Sequence, residues 1–440
     1  MLLFYCERIT PRIRYVVKWI MHELNCEVSF TESRIEYLAF HGAGIAYTNS
    51  KMEEGGGLQI FPSGFMEEHG VKQFVPTLRR TENGFHLFPD DSELQFDILS
   101  AVFYLISRYE EYLPFEPDRY GRFRASDSIA YRNEFLQVPI VDTWINGLGD
   151  LLQEKFSQLK IERPHFRTLF TYDIDVAFKY LGRGAGKSLL AAGRDMLRGK
   201  WKEVIERRRV LQGRKSDPWD VYKWIKKELN TAGIEGIFFF LTAGGTQYDH
   251  NVDVSRNEIK DRIFTHAEMA IEVGIHPSFR SSEIKGLTVK EKKGLEKYLA
   301  RTVTSSRQHF LKFRLPDTYR ELSECGIVRD FSMAFPEIPG FRAGTSRPFP
   351  FYDLLKEQET SLMIYPSCWM DATYINYGNQ SADKAEKEAL GLLEAVKAVG
   401  GYFIPIFHNN VLEDKRYRNI HHLLLTNIVD ANKQLVSQVE

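Results

Sequence analysis

From Arg167 onward the chain repeats one rhythm: a short apolar segment that ends in a polar, chemically capable residue, then a helical stretch. The apolar segments read RTLFTYDID, GIFFFLTAG, VGIHPSF, SLMIYPSCWM and GYFIPIFHNN, and patterns such as NEIKDRIFTHAEMAIEV and KAEKEALGLLEAVKAV lie between them. Strands alternating with helices imply βα units and a parallel sheet or barrel. In βα barrels, sites are built at the C-terminal ends of the strands, where these polar residues fall.

The first 162 residues are patterned differently. They hold an amphipathic start, IRYVVKWIMHEL, short alternating segments such as RIEYLAF and GLQIFPS, a helix-like run LQFDILSAVFYLISRYEEYL and a last helix DTWINGLGDLLQEKFSQL. Mixed α/β is the expected class. FEPDRYGRFRASDSIAYRNEF lacks a period and is expected to be loop. The proline of ERPHF marks a junction, and 440 residues exceed the usual size of one domain. The chain therefore divides into an N-terminal domain of unknown role, 1–162, and a βα-domain, 163–440. The long basic stretch GKSLLAAGRDMLRGKWKEVIERRRVLQGRK exceeds a simple connection, so a helical insertion is expected near 183–225.

Composition excludes some partners. Lys and Arg number 58 against 59 Asp and Glu, which gives no bulk electrostatic case for nucleic acid. Four cysteines without CxxC spacing suggest neither a disulfide framework nor a thiolate zinc site. No signal-peptide pattern is read, and no window approaches the ~20 apolar residues of a membrane span. A cytoplasmic protein is expected, of undetermined oligomeric state.

Two motifs compete within TYDIDVAFKYLGRGAGKS. A Walker loop needs glycine five residues before Gly186, directly after a strand. Leu181 stands there, and VAFKY intervenes between strand and loop. The glycines are therefore read as a flexible lead into a helix. The acids are the stronger motif: side chains alternate along a strand, so Asp173 and Asp175 emerge on one side. One carboxylate could bind a divalent metal while the other takes a proton from water. An isolated DxD more often caps a turn, and a lone histidine is more often structural. The company matters, because His276, Arg307 and His408 occupy three further strand ends.

The order strand-DxD, strand-His, an Arg-containing loop and a closing strand with His resembles the polysaccharide deacetylase family, the NodB-homology carbohydrate esterases. FYLISRYEEYLPFEPDRYGRF and VPIVDTWI look like the uncharacterised domain that often precedes such modules in bacterial proteins. The resemblance implies a distorted (β/α)7 barrel, a divalent metal, usually zinc, and removal of an acetyl group from a sugar of a polysaccharide or its precursor. It assigns Asp173 as catalytic base, Asp175 and His276 as metal ligands, Arg307 as the residue orienting the base, and His408 as the acid. The family's second metal histidine falls on Arg280, which cannot ligate a cation. Either the metal is lost, leaving an inactive glycan-binding protein, or another residue completes the site. His309 is the candidate, standing where the family motif often has proline; a surface or supporting histidine is the alternative. Arg342 and Thr345 in PGFRAGTSRPFPFYD, and Trp369 and Asp371 in CWMDATYINY, are expected to line the substrate cleft, although the loop could be purely structural and Trp369 core.

Overall fold

A computed structural model describes residues 1–440 apart from 53–56, 82–83, 244–245, 252–271 and 438–440, and apart from the side chains of 431–437. Its N-terminal sheet is parallel, with β2 (Val28–Thr31), β1 (Leu2–Tyr5), β3 (Ala43–Tyr47) and β4 (Leu58–Ile60) side by side in that order. Helix α1 (Pro11–Glu23) follows β1. Thr10 caps it by accepting from the Ile13 N–H, and Pro11 takes a first-turn position where no N–H is needed. Its Ile13, Val16, Val17 and Ile20 are buried at helical spacing. RIEYLAF, read as an alternating segment, is instead helix α2 (Arg34–Ala39), capped by Ser33. Its six residues are too few for a 3.6-residue period to be distinguished from alternation.

Among the described residues the second sheet has nine strands. Eight are parallel and run side by side in the order β11 (Gln358–Ile364), β9 (Arg329–Asp330), β8 (Ser305–Ser306), β7 (Glu272–Ile275), β6 (Gly236–Phe240), β5 (Phe170–Ile174), β13 (Pro405–His408) and β12 (Trp369–Met370). The ninth, β10 (Phe349–Asp353), joins the outer edge of β11 antiparallel. Four residues connect β11 to β12, the two ends of the parallel set, yet no ladder joins them among the described residues. The segment 333–340 reaches this seam: Ser367 N–H donates to the Met333 carbonyl and Gly340 N–H to the Cys368 carbonyl. Among the described residues the hydrogen bonding is thus that of a sheet open at one seam, and no closure into the distorted (β/α)7 barrel expected is seen among them.

The basic insertion forms two helices, α3 (Ala185–Leu197) and α4 (Trp201–Leu211). NEIKDRIFTHAEMAIEV lies almost wholly outside the described residues. The apolar core is continuous from Leu2 to Ile428 and so spans both parts of the chain. The N-terminal part also covers the β10–β11 edge: Tyr15 Oη donates to the Pro350 carbonyl, Trp19 Nε1 to the Pro348 carbonyl, and Arg12 pairs with Glu357 at 2.5 Å. That protection matters because an open strand edge invites pairing with other chains.

Candidate metal centre

Register brings the polar strand ends together. His408 on β13 lies opposite Asp173 on β5. One strand further, His276 N–H donates to the Phe240 carbonyl, and Arg307 N–H to the Ile275 carbonyl, so each site residue starts where its neighbour's strand stops. Phe170, Tyr172 and Ile174 face the apolar core, while Thr171 and Asp173 face the opposite side and share one partner. That partner is Arg307, fully buried. Its Nη1 donates to Asp173 Oδ1 at 2.8 Å, Nη2 to Thr171 Oγ1 at 2.8 Å, and Nε to the Phe331 carbonyl at 3.0 Å. Asp173 is thereby fixed in orientation.

Asp175, His276 and His309 converge, with one ligand atom of each within 4.8 Å of the others. His276 Nδ1 lies 2.5 Å from the Arg307 carbonyl, which can only accept, so this nitrogen carries the proton and Nε2 presents a lone pair. That lone pair faces Asp175 Oδ1 at 3.2 Å. Both atoms are buried without a hydrogen-bond partner. Two facing lone pairs repel unless a cation or a shared proton stands between them. His309 supplies the third atom, Nε2, 3.6 Å from Asp175 Oδ1. Its Nδ1 is held at 2.9 Å by the buried carboxylate of Asp249. An acceptor behind each imidazole, aiming its free nitrogen at a common centre, is the arrangement metal-ligating histidines use.

Electrostatics point the same way. Burial disfavours charge on His309, but the Asp175 and Asp249 carboxylates outweigh it and push its pKa up to about 9. Burial likewise disfavours the Asp175 carboxylate, but the charge of His309, and then of His408, holds it well below the ordinary range. The cluster therefore favours a positive charge among its carboxylates. Opposite the triad, His408 Nδ1 lies 2.6 Å from Asp371 Oδ1, and His408 N–H donates to Asp371 Oδ2. Burial opposes protonation there too, but Asp371 prevails and raises His408 to about 10. His408 Nε2 lies 3.9 Å from Asp173 Oδ2 and 4.0 Å from Asp175 Oδ2.

The four residues expected to line a substrate cleft are all buried and held by partners within the chain. Asp371 is fully buried behind His408. Trp369, 1% exposed, packs in the core and donates to the Ala385 carbonyl. Arg342 makes a two-pronged pair with Glu111, at 2.8 and 2.6 Å, and Thr345 donates to Asp142. Both therefore tie their loop to the N-terminal part. Glycine is required there: at Gly340, φ +145°, a Cβ would lie 2.6 Å from the Leu136 carbonyl oxygen. Arg280 is exposed on a turn.

Sequence reasoning missed Asp249, and it missed a contribution from the N-terminal part. Phe310 and Leu311, next to His309, both have left-handed backbones, φ +62° and +51°. Such conformations cost a side-chain-bearing residue ~1 kcal/mol or more and persist only when their surroundings enforce them. Arg122 does so. Buried and paired with Asp118, it donates through Nη1 to the Phe310 carbonyl at 2.7 Å and to Tyr377 Oη at 3.1 Å. Tyr120 of the same loop packs on Phe310, with ring centroids 5.1 Å apart, beside Tyr248 and Phe279.

Residues 2–157 match the model of a family of unknown function, DUF7033. No curated protein matches the sequence. Among solved structures, the chain is similar to a protein described as a polysaccharide deacetylase from Mycobacterium smegmatis, with 13% identity over 60% of this chain and 84% of that one and a TM-score of 0.41. It is also similar to an allantoinase, with 10% identity over 60% and 83% and a TM-score of 0.38. A third likeness is to a protein described as a polysaccharide deacetylase from Pseudomonas aeruginosa PAO1, with 9% identity over 60% and 84% and a TM-score of 0.37.

Proposed function

We propose that the chain is a metal-dependent hydrolase that removes an acetyl group, N-linked to a sugar, from a bacterial polysaccharide or its precursor. The observation that carries this reading is the pair of partnerless buried atoms, Asp175 Oδ1 and His276 Nε2, with His309 Nε2 completing the set. One carboxylate and two imidazoles suit zinc, which in catalytic sites takes three protein ligands. A divalent cation held there would lower the pKa of water and polarise the acetyl carbonyl.

The chain's own residues supply the remaining steps. Asp173, aimed by Arg307, takes the proton of the attacking water. His408 is kept protonated by Asp371 and gives its proton to the departing amine, without which the carbon–nitrogen bond does not break. The two roles fall to groups whose Nε2 and Oδ2 atoms lie 3.9 Å apart.

Acetate release from N-acetylated oligosaccharides, with metal content measured in parallel, tests the reading. Asp173→Asn and His408→Ala are each expected to lower turnover by about 10²–10⁴-fold, the usual worth of general acid–base catalysis, while metal content stays at one per chain. Full acetate release by both variants would contradict the mechanism. Wild-type protein that takes up no metal after zinc addition would instead favour a glycan-binding protein without activity.

A further inference from the structure

The stretch GRGAGKS is not a Walker loop, yet it walls a cavity of about 670 Å³. That volume lies within the ~300–1,000 Å³ typical of ligand pockets. Lys179, Arg183, Lys187, Arg194, Lys200 and Arg207 line it, against the acids Asp195 and Glu203. The cations are under-compensated. Asp195 is taken by Arg207 at 2.6 Å, and Lys179 by Glu413 at 2.7 Å. Among the described residues, no carboxylate comes within ion-pair distance of Arg183, Lys187, Arg194 or Lys200. Burial, then the neighbouring Arg207 and Arg194, hold the Arg183 guanidinium below its ordinary pKa against the partial pull of Asp217.

Two further observations point to an anion. Arg207 is only 7% exposed, and its Nε is buried without a partner, although a buried guanidinium normally saturates its donors. The cavity also meets the start of α3, a 13-residue helix whose cap, Gly184, offers no side-chain oxygen. Its first helical bond runs from Ser188 N–H to the Gly184 carbonyl, so the preceding N–H groups have no acceptor within the helix. Free N–H groups and the positive end of the helix dipole favour phosphate.

Position ties the cavity to the metal centre. Lys179 lies four residues beyond Asp175, and His250 and Asn251 on the cavity wall directly follow Asp249, which holds His309.

We propose that this cavity binds the phosphate or diphosphate group of a phosphorylated acetyl-sugar substrate, with Arg183, Lys187, Arg207 and the start of α3 as its donors. The proposal rests on the hydrolase reading for the substrate's other end, the acetylated sugar. The anion could belong to a nucleotide-linked or a lipid-linked sugar. Leu189, Leu190, Leu197 and Trp201 stand exposed on the adjoining helices, and eleven Lys and Arg lie among three acids between 183 and 215.

Titration calorimetry on the full zinc-loaded chain, in phosphate-free buffer, tests this with inorganic pyrophosphate, uridine diphosphate and farnesyl diphosphate. Pyrophosphate is expected to bind saturably with Kd near or below ~1 mM. Arg183→Gln and Lys187→Ala should each weaken it by about tenfold, the loss of one charge-assisted contact, with metal content unchanged. Tighter binding of the farnesyl ester would assign a lipid carrier, and of the uridine ester a nucleotide; either keeps the site. Arg207→Gln should weaken binding further, and because Arg207 is buried, the two more exposed variants decide if it fails to fold. No saturable heat up to ~10 mM, or unaltered affinity in both exposed variants, would overturn the proposal. Acetate release is read separately: its absence with pyrophosphate still bound would sink the hydrolase reading alone.

Discussion

Two loops, 118–124 and 340–347, join the N-terminal part to the large sheet, and they do opposite jobs. Loop 340–347 carries guanidinium, hydroxyl and glycine groups suited to a substrate, yet Glu111 and Asp142 absorb them. Loop 118–124 belongs to a stretch with no periodic pattern, yet it sends Arg122 to the carbonyl beside His309 and sets Tyr120 against Phe310. The difference teaches that a side chain's chemistry becomes functional or structural according to which partner arrives from far along the chain. The first loop fastens the two parts together. The second lets the N-terminal part shape the candidate metal centre.

Substitutions can break or sharpen this contrast. Arg342→Ala removes one of the two guanidinium partners of the buried Glu111 carboxylate and leaves Arg108 at 2.8 Å, so unfolding stability should fall by about 1.5–3 kcal/mol in urea titrations, with turnover per folded molecule kept. Normal stability in that variant would remove the fastening role. Asp249→Asn sets the scale inside the pocket. Loss of the carboxylate behind a ligating imidazole weakens metal affinity by about 10–100-fold, measurable by competition with a chelator. Arg122→Ala should act in the same assay through the His309 turn, toward the lower end, about tenfold. Metal affinity equal to wild type would reduce loop 118–124 to packing. Tyr120→Ala is expected to have the smallest effect, ~0.5–1.5 kcal/mol of stability from lost ring contacts, with metal affinity unchanged.

The sequence made the strand ends legible because their signal is local. Period-two alternation puts Thr171 and Asp173 on one face, and the apolar segments before His276 and His408 announce where each ring emerges. His309 could be proposed only as a substitute for the residue missing at Arg280. Asp249 obeys the same strand-end rule, one loop beyond GIFFFLTAG, but its partner lies sixty residues on and nothing near it advertises the pairing. The surroundings of Trp369 and Asp371 were hidden for a related reason. Both follow an apolar segment, and only the neighbouring β13 and the helix carrying Ala385 decide that one is core and the other stands behind His408. The seam between β11 and β12 was equally hidden, since the segment that reaches it is set by tertiary packing.

The account turns on one cation being shared by Asp175, His276 and His309. Metal content of protein prepared without chelator and soaked in zinc, compared between wild type and His309→Ala, tests this most directly. The expected result is about one zinc per chain in the wild type and a large loss in the variant, with the fold retained. Equal zinc in both proteins, or none in either, would contradict it.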